Sequence, residues 1–444
     1  MYKSAITIFF LLLVITATAQ EKYNAAVDKK TYDLYMKSDW EGLRETGATA
    51  LDEGIDFYFL RMRLGISYYE DNNYMSAVPH FEKAITFNPK DSIGLEYLYY
   101  SYLFSGQESE ANIIAKKFTS QLKRKTQYKK PEFFKGAYSE GGYSFNQDYS
   151  SKKNGGAKGI QDLSGTQNVF KDETYINLSL FHSIGERVSV FQGYNNIVVN
   201  STRQFEDVTN GRNDYKSSVK QNEYYLNFGF YLGKGFNLTT ALHYLSLNLE
   251  DYEPSTSTIS GFAGYTYKSN DLVGNLSLSK RLGHTELGLT TVFANLNGGK
   301  QIQNSFTFIW YPFGNLNLYN ISNFTLHNNK ANDSSHAVTS FIFDEKLGFK
   351  MADKLWLEAV FTSGPILNYS ESNAFIIYNN VDKIKYKAGF NIISPISENV
   401  ELSFRYLFLS QEYDITKTNA TGITTITTNN LLIHKLIGGI KWTF

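Results

Sequence analysis

The stretch that decides the fold is the last fourteen residues, Leu431–Phe444, which read LLIHKLIGGIKWTF. Counted back from Phe444, every second residue of this stretch is apolar or glycine, except His434. The intervening positions include Lys435 and Lys441. This period-two alternation predicts a strand with one apolar and one polar face. It fits a lipid-facing strand of a membrane barrel, although an edge strand of a soluble protein would fit this segment alone.

Composition excludes several classes of protein. The 444 residues contain 43 Lys plus Arg and 43 Asp plus Glu. The chain therefore lacks the positive net charge that would indicate binding to nucleic acid. Cysteine is absent, which excludes disulfides, cysteine nucleophiles and thiolate metal sites. Aromatic residues make up 16% of the chain, which favours short twisted strands. The mean hydropathy of −0.32 also suits a barrel, because only alternate strand residues face lipid.

Residues 1–19 have the pattern of a secretory signal peptide. Lys3 supplies the positive charge, an apolar run follows from Ala5 to Ile15, and Ala17-Thr18-Ala19 forms the cleavage site. The apolar run is shorter than the ~20 residues that a membrane-spanning helix needs. We therefore expect cleavage after Ala19 and export of the mature protein.

Residues 20–128 have helical periodicity and contain a repeat of about 34 residues. The most complete unit runs from Tyr58 to Pro89. Its pattern positions are Leu64, Gly65, Tyr68, Ala77, Phe81, Ala84 and Pro89. Small residues let two helices cross closely, and aromatic residues fill the spaces between helices. The unit resembles a tetratricopeptide repeat, but Arg61 stands where that family usually has Trp. The resemblance implies a surface that docks a protein partner; a spacer role is the alternative. A linker, 129–133, follows.

Residues 134–444 alternate in segments of the length expected for tilted membrane-crossing strands. Fourteen such segments are predicted: 134–146, 172–183, 187–200, 219–231, 236–249, 271–282, 284–296, 301–312, 315–328, 337–350, 354–364, 380–393, 399–412 and 431–444. Short and long connections alternate, as they do at the two ends of a bacterial barrel. Residues 261–268 also alternate, and we interpret them as an extension of the next strand because the strand number should be even. The expected fold is therefore α plus β, with helical repeats followed by an antiparallel transmembrane barrel of about fourteen strands.

Charged residues predict which face of each strand points inward. Lys383, Lys385 and Lys387 share one parity of a segment, and a lysine facing lipid near the midplane costs about 2–4 kcal/mol. We therefore expect this face to line the lumen. The predicted basic inner wall consists of Lys383, Lys385, Lys387, Arg405, Lys435 and Lys441. Such a wall would bind anions or polar solutes. The alternative is a lumen filled by ion pairs with Glu358, Glu401 and Asp344.

No sequence pattern indicates an enzyme or a cofactor site. The nearest candidate, for an outer-membrane hydrolase or acyltransferase, is Asp333-Ser334-Ser335-His336, but such clusters are common in turns. His182, His243 and His434 lie on separate predicted strands without metal-ligand spacing. We expect no catalytic residue, no metal, no cofactor and no nucleic-acid partner.

The terminal Trp442 and Phe444 resemble the C-terminal signal of bacterial outer-membrane proteins, which implies recognition by the barrel-assembly machinery. Helical repeats joined to a barrel also resemble bacterial exopolysaccharide export proteins, and the Tyr-, Asn- and Phe-rich strands resemble outer-membrane proteins of Bacteroidota. We therefore predict a barrel in lipid of the outer membrane and a periplasmic N-terminal domain that docks a periplasmic protein. The barrel would serve transport, export of a substrate such as polysaccharide, or membrane assembly. A free-standing porin-like channel with a basic inner wall is the alternative.

Overall fold

A computed structural model describes residues 24–255, 261–331, 334–380 and 382–444 of the chain. The predicted signal peptide, 1–19, and Asp333 lie outside the described residues. The chain divides into two compact units: residues up to Lys130 together with Tyr311–Leu316, and Pro131–Trp310 together with Asn317–Phe444. No helix of the described chain combines the length and apolar character needed to cross a membrane.

The first unit consists of short helices that follow one another closely. They are α1 (24–36 within the described residues), α2 (Trp40–Asp52), α3 (Tyr58–Glu70), α4 (Tyr74–Phe87), α5 (Ser92–Phe104), α6 (Glu108–Ala115) and α7 (Ser120–Lys125). Polar side chains fix several of the starts by accepting a backbone N–H: Asp39 at α2, Asn73 at α4 and Asp91 at α5. Consecutive helices from α2 to α6 contact each other.

The positions of the predicted repeat lie where α3 crosses α4. Leu64, Ala77, Phe81 and Ala84 are buried, and a Cβ on Gly65 would lie 2.6 Å from the Phe81 ring. Tyr68 is partly buried against the same core, and Pro89 follows the end of α4. The close approach at Gly65 is what permits the two helices to pack on this large aromatic side chain.

In the described residues, the second unit is built of strands together with the short helix α8 (Tyr149–Gly155). The strands are β1 (Phe134–Asn146), β2 (Asp162–Ile184), β3 (Val188–Asp207), β4 (Gly211–Gly233), β5 (Phe236–Pro254), β6 (Phe262–Leu282), β7 (Thr285–Ala294), β8 (Lys300–Trp310), β9 (Leu318–Lys330), β10 (Val338–Ala352), β11 (Leu355–Ile366), β12 (Tyr369–Glu371), β13 (Ile376–Tyr378), β14 (Ile384–Pro395), β15 (Val400–Asn419) and β16 (Thr424–Thr443).

Fourteen of these strands close into an antiparallel barrel, which confirms the predicted fold of this part of the chain. The first and last strands complete the closure, with Gly136 opposite Thr443 and Asn146 opposite Ile433. Residues 261–268 belong to β6 almost entirely, as predicted. We call the end where β1 begins and β16 finishes the turn end, and the opposite end the loop end.

Several predicted loops at the loop end are strand extensions instead. The pair β15–β16 continues as a hairpin as far as Thr418 opposite Thr424, and β15 also pairs with β2 from Ile415 opposite Gln167. The sequence TTITTNN at 424–430 alternates little between apolar and polar residues. A strand with no buried apolar face lacks the periodicity by which strands are recognised, so these extensions lie outside the predicted strands 399–412 and 431–444.

The two faces of the barrel wall differ sharply in chemistry. Large apolar side chains are exposed on the outer face of every part of the wall, including Leu178, Leu242, Leu276, Leu289, Phe306, Phe341, Phe404, Leu436 and Ile440. The alternate positions hold buried polar residues such as Asn177, Asn195, Glu223, His243, Gln303 and Thr325. An apolar exterior around a polar interior is the reverse of a soluble protein and is what lipid requires.

Candidate functional site

The lumen is occupied by the connection between β11 and β14, which we call the plug hairpin (residues 367–380). Its two strands, β12 and β13, pair over three residues each, from Tyr369 opposite Tyr378 to Glu371 opposite Ile376. Ser372, Asn373 and Ala374 form the tip, and their φ angles are all positive, at 52°, 56° and 65° respectively. This backbone is unusual for residues other than glycine, and Asn tolerates it best.

The tip of the plug hairpin is bonded to the inner face of β4 and β5. The Tyr225 hydroxyl donates a hydrogen bond to the Asn373 carbonyl at 3.0 Å. The His243 Nδ1 atom lies 2.8 Å from the Ala374 carbonyl oxygen. The Phe375 ring packs edge-on against Tyr225, with ring centroids 5.1 Å apart. The tip therefore lies against the side of the barrel formed by β4 and β5.

The paired strands of the plug hairpin are fixed to β10 and β14 by polar and charged side chains. Lys387 Nζ lies 2.5 Å from both carboxylate oxygens of Glu371 and 2.8 Å from the Tyr378 hydroxyl. The side chains of Lys387 and Glu371 are only 8% and 12% exposed. Tyr369 donates from its hydroxyl to Asp344 at 2.8 Å. A lysine so buried is tolerable only because the carboxylate neutralises it.

Further bonds tie the plug hairpin to other sectors of the wall. The Gln303 side chain on β8 bonds both the backbone N–H and the carbonyl of Ser370, at 2.8 and 3.1 Å. Asn379 donates to Gln221 on β4 at 2.8 Å. Since β4, β8, β10 and β14 are spread around the barrel, a segment bonded to all of them must cross the lumen. The plug hairpin therefore obstructs the interior toward the loop end.

The predicted basic wall is not continuous in the structure, because Lys383, Lys385 and Lys387 do not share one face. Ile384 pairs with Gln411 whereas Tyr386 pairs with Ser410, so the register shifts by one residue between them. This shift buries Ile384, leaves Lys383 and Lys385 41% and 45% exposed, and turns Lys387 inward. Lys383 and Lys385 lie 2.6 and 3.6 Å from Glu412. A bulge reverses the alternation on which the prediction depended.

The other three basic residues face the lumen with different surroundings. Lys435 pairs with Glu173 at 2.7 Å, and the Arg405 Nε atom donates to Asn391 at 3.0 Å. Lys441 lies over the Phe181 ring, 5.8 Å from its centroid. Within the part of the chain that the structure describes, four of the six predicted basic residues have a carboxylate partner. Two of these four, Lys387 and Lys435, face the lumen, where their partners are Glu371 and Glu173 in place of the predicted Glu358, Glu401 and Asp344. These two pairs favour the ion-paired lumen over a field of uniform sign.

A cavity of about 390 Å³ lies in the lumen beside these residues. Its charged lining consists of Lys346, Arg405 and Lys441, and of Glu140, Glu358 and Glu401. Apolar walls are supplied by residues including Phe181, Phe191, Ile393 and Ile437. The cavity is thus amphipathic and formally neutral, and its volume lies in the range of small-molecule sites.

The residues of the enzymatic alternative form a turn. The Ser334 hydroxyl donates to the His336 carbonyl at 2.8 Å and accepts from the His336 backbone N–H at 3.2 Å. These contacts involve the backbone of His336, and the side chain is exposed, so no Ser–His pair forms there. Among the described residues, no group of three or more His, Cys, Asp or Glu side chains is arranged to hold a metal ion.

Sequence reasoning missed the plug hairpin, which lies in the connection between the predicted strands 354–364 and 380–393. A usable signal was present in Phe375-Ile376-Ile377-Tyr378. Four consecutive large apolar side chains are too costly to leave in water, so the segment required a partner surface. The partners themselves, including Gln221, His243 and Gln303, could not be recognised because a single buried polar residue on a strand has no distinguishing pattern.

No family model matches the sequence, and no curated protein matches it. Among solved structures, the chain is similar to the toluene transporter TodX of Pseudomonas putida, with a TM-score of 0.41, 10% identity and coverage of 69% of this chain and 89% of that one. A FadL homologue of Pseudomonas aeruginosa gives a TM-score of 0.41, 9% identity and coverage of 70% and 90%. The translocator domain of the autotransporter NalP of Neisseria meningitidis gives a TM-score of 0.31, 10% identity and coverage of 77% of this chain and 99% of that one. Similarity at this level carries no argument about function.

Proposed function

We propose that the protein is a bacterial outer-membrane barrel that serves transport or export, and that the plug hairpin is its gate. The observation that carries this proposal is the way the hairpin is held. It crosses the lumen on discrete polar contacts, such as Tyr225 to Asn373 and Lys387 to Glu371, at the end of a connection between two strands. A segment held in this way can be released without unfolding the wall.

The outer-membrane location is supported by the exterior of the barrel. Closure pairs every backbone edge, as lipid requires, and the outer face carries large exposed apolar residues. Trp310 and Trp442 lie at strand termini of the turn end, 48% and 54% exposed. Aromatic side chains at such a position are typical of the level where lipid meets water.

The lability of the gate is supported by the size of the plug hairpin. Each of its strands pairs over only three residues, and a two-stranded hairpin of this length is not stable by itself in water. Its position therefore depends on its contacts with the wall. Weakening a few of them shifts the balance toward a displaced hairpin and an open lumen.

We further propose that α2–α6 are tetratricopeptide repeats lying in the periplasm and that they dock a periplasmic protein. The close packing of Gly65 on Phe81 is the support for the repeat assignment. The barrel-assembly machinery would recognise the terminal strand through Trp442 and Phe444, whose rings stack 5.8 Å apart and are exposed. Deletion of residues 24–128 tests the docking part: the proteins that co-purify from native membranes should change, and an unchanged set would refute docking.

The experiment for the gate compares the purified protein with a variant in which residues 368–379 are replaced by a short Gly-Ser linker. In planar bilayers we expect small or rare conductance from the natural protein and large, sustained conductance from the variant. A variant with 420–423 replaced in the same way is the control, because that turn lies at the end of a paired hairpin. If a correctly folded plug variant conducted no more than the control, the gate would be refuted.

A further inference from the structure

The lumen cavity contains two carboxylates that are already satisfied by the protein. Glu358 accepts hydrogen bonds from Tyr319 at 2.5 Å and Asn391 at 2.6 Å, and Lys346 lies 3.3 Å away. Glu140 accepts hydrogen bonds from two tyrosine hydroxyls, Tyr138 and Tyr175. Glu358 is therefore neutralised by Lys346, whereas Glu140 is hydrogen-bonded by neutral hydroxyls and keeps its charge.

Arg405 is the cavity cation with the most unused donor capacity. A guanidinium has five N–H donors, and the bond from Nε to Asn391 uses one of them. Among the residues that the structure describes, no carboxylate lies within ion-pair distance of Arg405, although Glu358 shares Asn391 with it. Its terminal N–H groups are thus available to a ligand that offers two acceptor oxygens in one plane.

Lys441 and Glu401 are the other charged groups of the cavity without a close partner in the described structure. They are opposite each other in the β15–β16 register, yet they form no ion pair within 4.0 Å. Outside the Lys346–Glu358 pair, Arg405 and Lys441 are thus balanced by Glu140 and Glu401. The attraction for an anion therefore comes from the unused N–H donors of Arg405 and from the ammonium of Lys441, which no carboxylate of the described residues approaches within 4.0 Å.

An apolar wall faces these charges. The rings of Phe181 and Phe191 lie 4.9 Å apart at an angle of 35°, and both line the cavity. Ile393 and Ile437 extend the same lining. A ligand that carried only charge would leave this surface in contact with water, whereas an apolar body would cover it.

We propose that the cavity binds a small amphipathic carboxylate. The Arg405 guanidinium holds the carboxylate by two parallel hydrogen bonds, Lys441 adds a second positive charge, and the apolar body of the ligand lies against Phe181 and Phe191. Paired N–H donors match a carboxylate better than a single ammonium does. Binding of the carboxylate does not depend on the proposed transport function. That function is needed only for the further step in which the bound ligand is the transported solute.

The test measures binding to the full-length protein in detergent by calorimetry, with 4-phenylbutyrate as the probe and 4-phenylbutanamide as its neutral counterpart. We expect the natural protein to bind the carboxylate about tenfold more tightly than the amide, as a charge-assisted bond implies. Arg405→Gln should lose that preference, while its weak binding of the amide is unchanged. Arg405→Lys should retain part of the preference, because lysine keeps the charge and loses the paired geometry.

Arg187→Gln is the matched control, since this arginine lies in the turn between β2 and β3 and donates to the Tyr231 carbonyl. It should bind both probes as the natural protein does. If Arg405→Gln did not fold, Lys441→Gln would provide a smaller loss of the same preference. Absence of carboxylate binding at millimolar concentration, or equal binding by the Arg405→Gln protein, would overturn the proposal.

The result separates the site from the gate. Suppose that carboxylate binding depends on Arg405 but removal of the plug hairpin does not change the conductance. The binding site would then stand, and the proposed gated transport function would be refuted. If removal of the plug hairpin raised the conductance but the carboxylate did not bind selectively, the gated transport function would stand and the binding site would be refuted.

Discussion

His243 and Ala374 are 131 residues apart in the chain, and the imidazole Nδ1 of the first lies 2.8 Å from the carbonyl oxygen of the second. A carbonyl only accepts hydrogen bonds, so Nδ1 carries the proton and donates it. The other ring nitrogen lies 3.2 Å from a Glu223 carboxylate oxygen. The completely buried ring is thus held between the barrel wall and the tip of the plug hairpin.

Replacing His243 with Ala should loosen the tip. The change removes one buried hydrogen bond, which contributes about 1 kcal/mol, and this corresponds to an increase of about fivefold in the population of the displaced hairpin. Single-channel open probability in planar bilayers is the measurement. His336→Ala is the control, because this histidine is exposed in a loop. Equal open probabilities of the two variants would contradict the role of His243.

The Lys387–Glu371 pair should behave asymmetrically on substitution. Lys387→Met alone leaves a buried carboxylate without a counter-charge, and Glu371→Gln alone leaves a buried ammonium, each at a cost of about 3–5 kcal/mol. Each single variant should therefore conduct more than the natural protein. The double variant removes both charges and should return toward the closed state. Additive increases in conductance would show that the pair does not hold the hairpin.

A lysine on the outer wall should impair the barrel according to its depth. Leu289 is 64% exposed in the middle of β7, whereas Leu282 is 50% exposed at the last residue of β6, at the turn end. Leu289→Lys should cost about 2–4 kcal/mol and Leu282→Lys about 0–1 kcal/mol. Unfolding in denaturant after insertion into vesicles measures the difference. Equal costs would exclude contact of Leu289 with the membrane interior.

Gly65→Val should destabilise the helices. The added Cβ would lie 2.6 Å from the Phe81 ring, and Phe81 is completely buried, so it has no space into which to move. Overpacking of this kind costs about 1–3 kcal/mol. Loss of the helical circular dichroism signal of the full chain on heating is the measurement. Ile93→Ala, at a residue that is 58% exposed, is the control and should leave the helical transition unchanged.

The helices should also lose stability in mild acid because of His80. Burial and the nearby Arg61 lower the pKa of His80 to about 4, while Asp56 opposes the shift. Arg61 bonds Asp56 at 2.7 and 2.9 Å and lies 3.3 Å from His80 Nδ1. An unfolded histidine titrates near pH 6.5.

Between pH 6.5 and 4 the unfolded chain therefore binds a proton that the folded chain does not. The contribution of neutral His80 is complete above pH 6.5 and is lost progressively as the pH falls toward 4. His80→Gln should flatten this dependence, and the measurement is the thermal midpoint of the helical signal between pH 7 and 4.5. Parallel curves for the two proteins would mean that His80 is not responsible.

Strand identity was predictable wherever membrane and lumen lie on opposite faces of the wall. The alternation of Leu436, Ile440 and Trp442 with Lys435 and Lys441 in β16 is visible without any knowledge of the neighbouring strands. The fourteen strands follow from such patterns, because side chains of a strand alternate between its two faces. The helical crossing at Gly65 was predictable for a similar reason, since a small residue at a fixed spacing has a local signature.

The placement of Lys383, Lys385 and Lys387 was not predictable, because one bulge between Ile384 and Tyr386 exchanges the two faces of β14. A shift by one residue leaves the sequence pattern intact and is decided by the packing of the neighbouring strands. The position of the plug hairpin was even less predictable from the sequence. Its apolar residues indicated burial, but its partners come from β4, β5, β8, β10 and β14.

The sequence by itself determined the barrel, since each strand carries its own alternation of apolar and polar side chains toward lipid and lumen. Only the tertiary structure decided that the barrel is obstructed and that Arg405 retains free donors in an amphipathic cavity. The physical reason is that polar contacts such as His243 to Ala374 gain their energy from geometry between residues distant in the chain. No local sequence pattern specifies that geometry, because the residues are brought together only when the barrel closes.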